Sequence, residues 1–416
     1  GGAWIASKER FLADNTSGWL SFLKFRFSWG KVGNDGVITS PRFTHLPVIG
    51  SQGIYDPRKG EASMDKYVVQ SYPNTKIKWE IAEQMNLGIE SKFFDGVVEL
   101  NADIYQEIRH NILDYRYNVP ATTGLAALQL SNVGRARSRG IDLSGKIQHA
   151  FSSDCWLILN GTYTYSKAIY QEIEEATDKP QWQRKKGQEI SQQVGYIADG
   201  LFYDEAEILS APRQDGEVMP GDIRYRDING DGKIDVNDAT YIGYPETPRV
   251  IYGFSGFFNY KNWEFSFAFQ GSGKRSFFIN PDKISPFVKD KAMLKAIADD
   301  HWSEDNMSER PFWPRLSTQS IIAHNPYEDW SANNEERKST YFMRECRFLR
   351  CTSIELAYNM PRKLMDKLKM QNVKFYLRAN NPFLISNFKV WDVELGENGF
   401  NYPIQRTYSL GVNISF

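Results

Sequence analysis

The chain has no apolar run of the ~18 residues that a membrane-spanning helix needs, so a helical membrane protein is excluded at the outset. A β-barrel is not excluded, because membrane strands carry apolar residues only at every second position and escape a sliding average. Charge of one sign is also lacking: 50 Lys and Arg stand against 51 Asp and Glu, which leaves no field that would favour nucleic acid. Cysteine is scarce. Cys155, Cys346 and Cys351 make neither a disulfide framework nor a metal cluster. The last two lie in a strand-like segment, roughly 17 Å apart and on opposite faces, so they should not pair. The histidines His45, His110, His149, His301 and His324 are scattered without ligand spacing and read as mostly solvated. Nothing resembles a nucleophile elbow or a phosphate-binding loop, so no enzyme chemistry is implied. Gly1-Gly2-Ala3-Trp4 carries neither a basic n-region nor an apolar h-region and reads as mid-strand text. The start is therefore expected to be a cut in a longer protein.

What the chain does have is aromatic residues, 14% of the total, set in stripes of period two. Leu23, Phe25, Phe27 and Trp29 alternate with Lys24, Arg26 and Ser28, which is strand arithmetic. The pattern returns at Trp79 to Ile89, with Glu83 as a blemish tolerable only near a membrane boundary, then at Val98 to Ile104, Ile141 to Ile147 and Leu157 to Tyr165. In the second half it recurs at Tyr252 to Tyr260, Trp263 to Phe269, Ile354 to Tyr358, Val373 to Ala379 and Tyr408 to Phe416. With a fragment in the first ten residues, about eleven strands are expected.

The connections decide between a soluble sandwich and a membrane barrel. Short links at Phe94 to Gly96, Phe151 to Asp154, Lys261-Asn262 and Pro361 to Met370 take turns with long ones at Lys31 to Lys78, Asn111 to Arg139, Ala168 to Pro248, Gly271 to Thr340 and Ile385 to Gln405. That alternation puts all long loops on one face, as in outer-membrane barrels with short periplasmic turns and long extracellular loops. The apolar terminal Phe416, with apolar residues stepping back from it by twos, places the last strand's end in the membrane band and marks Phe416 as an assembly signal. Trp29, Trp79, Tyr260 and Trp263, at strand ends, suit interfacial girdles. The fold class is thus all-β, a transmembrane antiparallel barrel. Two rivals stay open: a passive porin, and a secreted β-sandwich or scaffold module with a dockerin-like calcium loop.

One local motif is sharp. Residues 227–238, within the third long loop (168–248), read Asp-Ile-Asn-Gly-Asp-Gly-Lys-Ile-Asp-Val-Asn-Asp. Asp227, Asn229, Asp231, the Lys233 carbonyl, Asp235 and Asp238 would supply the hard oxygen ligands that calcium takes, with Gly232 at the sharp turn. The final ligand is Asp where a longer Glu is usual; an Asx-rich turn without metal is the alternative. The loop spanning 271–340 is rich in Trp302, Phe312, Trp313, Tyr327 and Trp330, which either contact a substrate or partner or pack the loop on its neighbours. Met293, Leu294 and Ile297 predict a short helix within Phe287 to Trp302. The acidic run Glu172 to Glu175 reads as an exposed loop.

Seven segments, in order and across nearly the whole chain, resemble the C-terminal region of SusC/RagA-type TonB-linked outer-membrane proteins. They are Leu23 to Asn34, Ile77 to Glu90, Asn132 to Leu143, Pro220 to Gly243, Phe348 to Pro361, Tyr376 to Phe383 and Arg406 to Phe416. The resemblance implies a barrel of about 22 strands, of which residues 1–416 supply the C-terminal half. The plug domain and the TonB-contacting part would lie outside this chain. It implies import of a nutrient too large for porins, an oligosaccharide or a peptide, beneath a SusD-like surface lipoprotein. The partners would then be that lipoprotein, TonB, membrane lipid and the remaining half of the barrel, with no nucleic acid.

Overall fold

The computed structural model describes residues 1–9, 19–35, 43–56, 61–125, 127–214, 216–287, 291–308, 310–317 and 338–415. The period-two stripes become strands of one antiparallel sheet. In chain order these are β1 (Gly2–Ile5), β2 (Leu20–Asn34), β3 (Glu80–Phe93), β4 (Val98–Tyr115), β5 (Leu130–Ser152), β6 (Cys155–Glu172), β7 (Val250–Tyr260), β8 (Trp263–Gly273), β9 (Phe348–Asn359), β10 (Asn372–Asn380), β11 (Leu384–Ser386) and β12 (Thr407–Ser415). Neighbours in sequence are neighbours in the sheet from β1 to β10. Then β12 pairs with β10, and the short β11 pairs with the start of β9. All eleven expected strands are present, and β11 is an addition.

Register converts the stripes into two chemically distinct faces, because directly opposed residues share a face. Phe27, Leu87, Ile104, Ile141 and Tyr165 form one row across β2 to β6. Leu157, Phe258, Phe265, Leu356, Leu377 and Leu410 form another across β6 to β12. On the opposite face, Lys24, Glu90, Asn101, Ser144 and Thr162 lie in one row. Cross-strand ion pairs stitch that face: Lys24 to Glu90 at 3.2 Å, Arg26 to Asp103 at 2.6 Å and Lys374 to Glu264 at 2.7 Å. Each is worth a few tenths of a kcal/mol to ~1 kcal/mol.

The apolar face is bare. Leu410 is 83% exposed and Ile104 57%, and the buried apolar cluster contains the stripes of neither half of the sheet. A sandwich buries its stripes against a second sheet, so that rival reading is overturned. The eleven residues of β7, at ~3.3 Å each and tilted by ~40°, cover about 25 Å, the height of a membrane band. Tyr260 and Trp263 face each other at its lower edge, and Trp29 stands at the upper. Glu83 also lies at that upper edge, where it accepts from Trp29 Nε1 at 2.9 Å and sits 3.5 Å from His110. Its polar partners explain how the blemish is tolerated.

Short and long connections alternate as expected. Phe94 and Asp95 take φ of 52° and 54° in the β3–β4 turn, the twist that a tight hairpin demands. The Pro361 to Met370 stretch contains a helix, Arg362–Leu368. The difference lies on the other side. Strands β4 and β5 run to Tyr115 and from Leu130, so much of the loop expected from Asn111 to Arg139 is strand. Above the band the stripe ends, but backbone groups still need partners, and ladder bonding continues through polar residues. All three cysteines are free.

Candidate functional site

Two regions above the sheet hold the chemistry. Segments from the long loops fold together into one layer with its own core: Tyr196, Leu201, Ile223 and Tyr225 from the third loop, Ile279, Ile284, Ile297 and Trp313 from the fourth, and Phe388 and Val393 from the fifth. Asp222, wholly buried, holds Arg315 at 2.6 Å and ties the third loop to the fourth. These contacts are distant in sequence and leave no periodic signal.

At the upper end of the polar face, β9, β11 and the segment after it enclose a cavity of about 820 Å³. Arg350 projects there from β9 and is nearly buried; it donates to Asp392 at 2.6 Å and pairs with Glu394 at 2.5 Å. Phe388 and Trp391 pack edge to face beside it, with ring centroids 4.8 Å apart. Ile385 and Ile404 also line it. An aromatic surface next to a fixed guanidinium and carboxylates can stack on a flat apolar face and hydrogen-bond polar groups around it. Sequence reasoning missed this site, because Arg350 meets its carboxylates only through a loop about forty residues later, and no spacing announces it.

Of the aromatic residues singled out in the fourth loop, Trp302, Phe312 and Trp313 are brought together, but inwards. Trp313 is 1% exposed and lies 5.4 Å from the Phe342 ring. Trp302 packs over Gly221, whose φ is 86°; a Cβ there would come within 2.3 Å of the indole. Phe312 lies edge-on to Trp391 at 6.4 Å. Trp313 is therefore a packing residue rather than a contact residue, because its ring is closed off from anything outside the loop layer. Tyr327, Trp330 and Phe416 lie outside the described residues. Within the expected helical stretch, the helix covers Lys295–Asp299.

The acidic run is solvated only in part: Glu172 is exposed, whereas Glu174 and Glu175 are half-buried. Glu172 pairs with Arg135 at 3.5 Å and Glu174 with Arg116 at 3.3 Å. Glu175 accepts from the Lys185 backbone at 2.9 Å and from Lys179 Nζ at 3.0 Å. Burial pushes the Glu175 carboxyl up, but these donors outweigh it and hold it below the usual range.

In residues 227–238 the carboxylates wrap their own backbone. Asp227 accepts from Gly230 N at 2.6 Å and Gly232 N at 2.8 Å, and both glycines have positive φ, 75° and 85°. Asp238, wholly buried, accepts from the backbone of Ile228 at 2.8 Å and Asp235 at 2.9 Å. Lys233 Nζ pairs with Asp235 at 2.7 Å, and that hydrogen bond holds the Asp235 carboxyl below its ordinary value. The donor set of hard oxygens fits calcium. Among the described residues, however, no three acidic, His or Cys side chains converge as a cage, so a cation would have to draw Asp231 and Asp235 inward and displace the Lys233 ammonium.

Residues 16–288 match the family described as TonB dependent receptor-like, beta-barrel. The chain is 26% identical to TonB-dependent receptor P26 of Formosa agariphila, over 100% of its own length and 42% of that protein. It is also 26% identical to TonB-dependent receptor SusC of Bacteroides thetaiotaomicron, over 99% of its length and 39% of SusC. A solved structure of the RagAB peptide transporter superposes with a TM-score of 0.68 at 19% identity, covering 100% of this chain and 43% of that one, which shows a shared fold. The chain thus spans about two-fifths of the length of the relatives it matches. An apolar stripe bare to the outside, a polar ion-paired face and loops gathered at one end all agree with that match: the chain belongs to the TonB-dependent receptor-like β-barrel family and is an outer-membrane barrel segment of SusC/RagA type.

Proposed function

We propose that the complete protein imports an oligosaccharide too large for passive pores, with energy delivered through TonB to a plug outside this chain, and with a SusD-like lipoprotein closing over the loop layer. The observation that carries the substrate class is the cavity of Arg350, Phe388, Trp391 and Asp392: a stacking surface bordered by fixed polar groups suits a sugar ring. The role of the site in this reading is differential affinity between states, with the cargo carried unaltered. Calcium, held by Asp227, Asn229, Asp231, the Lys233 carbonyl, Asp235 and Asp238, would pin the third loop. Phe416 would serve as the assembly signal; its deletion should lower outer-membrane levels.

The test is calorimetry with the purified full-length protein against panels of oligosaccharides and of peptides. Binding of an oligosaccharide, weakened about tenfold by Trp391→Ala, is the outcome sought; one lost stacking contact is worth ~1–1.5 kcal/mol. Binding of peptides alone would replace the substrate class, and upstream sequence without a plug would favour the passive porin.

A further inference from the structure

The apolar face is not uniform. At its upper edge a groove of about 620 Å³ opens between β3 and β6. Leu87, Ile104, Ile141 and Tyr165 form its walls, all from one register row. The next row towards the long loops is Gln106, Arg139 and Lys167, and these cap the groove.

The capping row carries an uncompensated charge. Arg139 donates to Gln106 at 2.6 Å and has no carboxylate within ion-pair distance among the described residues. Lys167 lies 3.3 Å from Glu189, but that carboxylate is already gripped by Arg249 through both nitrogens of its fork. Lys274 adds a further ammonium, over the Tyr165 ring. Arg139, Lys167 and Lys274 thus bring three cations to the top of the groove, and the carboxylate beside Lys167 is the buried Glu189, already held by Arg249. In mid-bilayer such residues would cost ~2–4 kcal/mol each, whereas at the interface the cost falls to about zero to 1. Their place, one row above the last apolar row, is where the phosphates of the outer leaflet lie.

We propose that this groove binds a phosphorylated, acylated lipid of the outer leaflet, with an acyl chain on Leu87, Ile104 and Ile141 and a phosphate held by Arg139 and Lys167. Apolar walls alone would accept any acyl chain. Cations alone would accept any anion. Stacked in this order they select an amphiphile with a phosphate directly above its hydrocarbon, and a guanidinium can engage two phosphate oxygens at once. The inference concerns the outside of the barrel and does not depend on the cargo carried within.

The experiment uses the full-length protein in nanodiscs of phosphatidylcholine doped with diphosphoryl lipid A or with its dephosphorylated form, read by native mass spectrometry of retained lipid. Retention of the phosphorylated form should exceed the other by about tenfold, and Arg139→Gln with Lys167→Gln should remove the difference. The exchange Arg139→Lys with Lys167→Arg should restore most of it. Heat-modifiable migration in gels, unchanged in each variant, reports an intact barrel. Equal retention of both lipids, retention unaltered by the double substitution, displacement by inorganic phosphate alone, or a protein dimer covering the groove with lipid excluded would each overturn the proposal.

Discussion

Glu175 shows what a single side chain can do in this protein. The first half of the third loop is threaded back past the strand end at Glu172, and Glu175 alone receives the Lys185 and Lys186 backbone and the Lys179 ammonium. Its folded pKa is depressed below the unfolded value of about 4.3. The stability it supplies is therefore complete above that value and is lost as pH falls through the lower folded one. Limited proteolysis between residues 176 and 186 should be flat from neutral pH down to about 4 and rise below it. Glu175→Gln should raise cleavage at neutral pH, in line with the ~1.5–3 kcal/mol of hydrogen bonds to a charged group. A cleavage profile without acid dependence would remove Glu175 from this role. The residue types were legible in the sequence, but their partners were not: three glutamates within four residues look solvated until Arg116, Arg135 and Lys179 are brought beside them. Arg350 teaches the same lesson, since burial of a guanidinium is decided by Asp392 and Glu394 in another loop.

The strands were readable because a half-exposed sheet imposes a period that single residues cannot hide. Leu143 lies near the middle of the apolar band on β5, flanked on its face by Ile141 and Gly145, while Trp263 lies at the lower edge. Leu143→Arg should cost ~2–4 kcal/mol in urea unfolding from lipid vesicles, and Trp263→Arg about 1 or less from charge alone. Equal costs at both positions would mean that the stripe does not face hydrocarbon. The loop layer was not readable in the same way. Its core joins Tyr196, Ile297 and Val393 across some two hundred residues without periodicity, and of the aromatic residues expected as contacts Trp302, Phe312 and Trp313 pack against it. For the Asp-rich loop, Asp231→Ala should leave the barrel intact and, with calcium present, increase protease cleavage within residues 168–248 to the level that a chelator produces in the unaltered protein. Identical cleavage with and without chelator would count against a metal there. In that event the Asx turns already visible around Gly230 and Gly232 suffice to shape the loop.

For the whole molecule, the decisive feature is that the sheet is open. Among the described residues β1 pairs only with β2, and β12 only with β10, so each edge presents a row of unpaired backbone groups. In hydrocarbon each unsatisfied group costs several kcal/mol, and no arrangement of side chains on these strands can offset a full strand of them. Further strands must close the ring, in keeping with relatives more than twice this length. Residues 1–416 produced without the rest should fail to give a protease-resistant, heat-modifiable species when refolded into vesicles. Co-refolding with the remaining strands as a separate polypeptide should recover that species, because the edges are complementary backbone ladders rather than a special interface. If the chain alone formed a stable, heat-modifiable band, the edges would have to pair with each other in a smaller barrel. The single row order from β1 to β12, and the assignment of its two faces to lipid and lumen, would then need to be rebuilt around that closure.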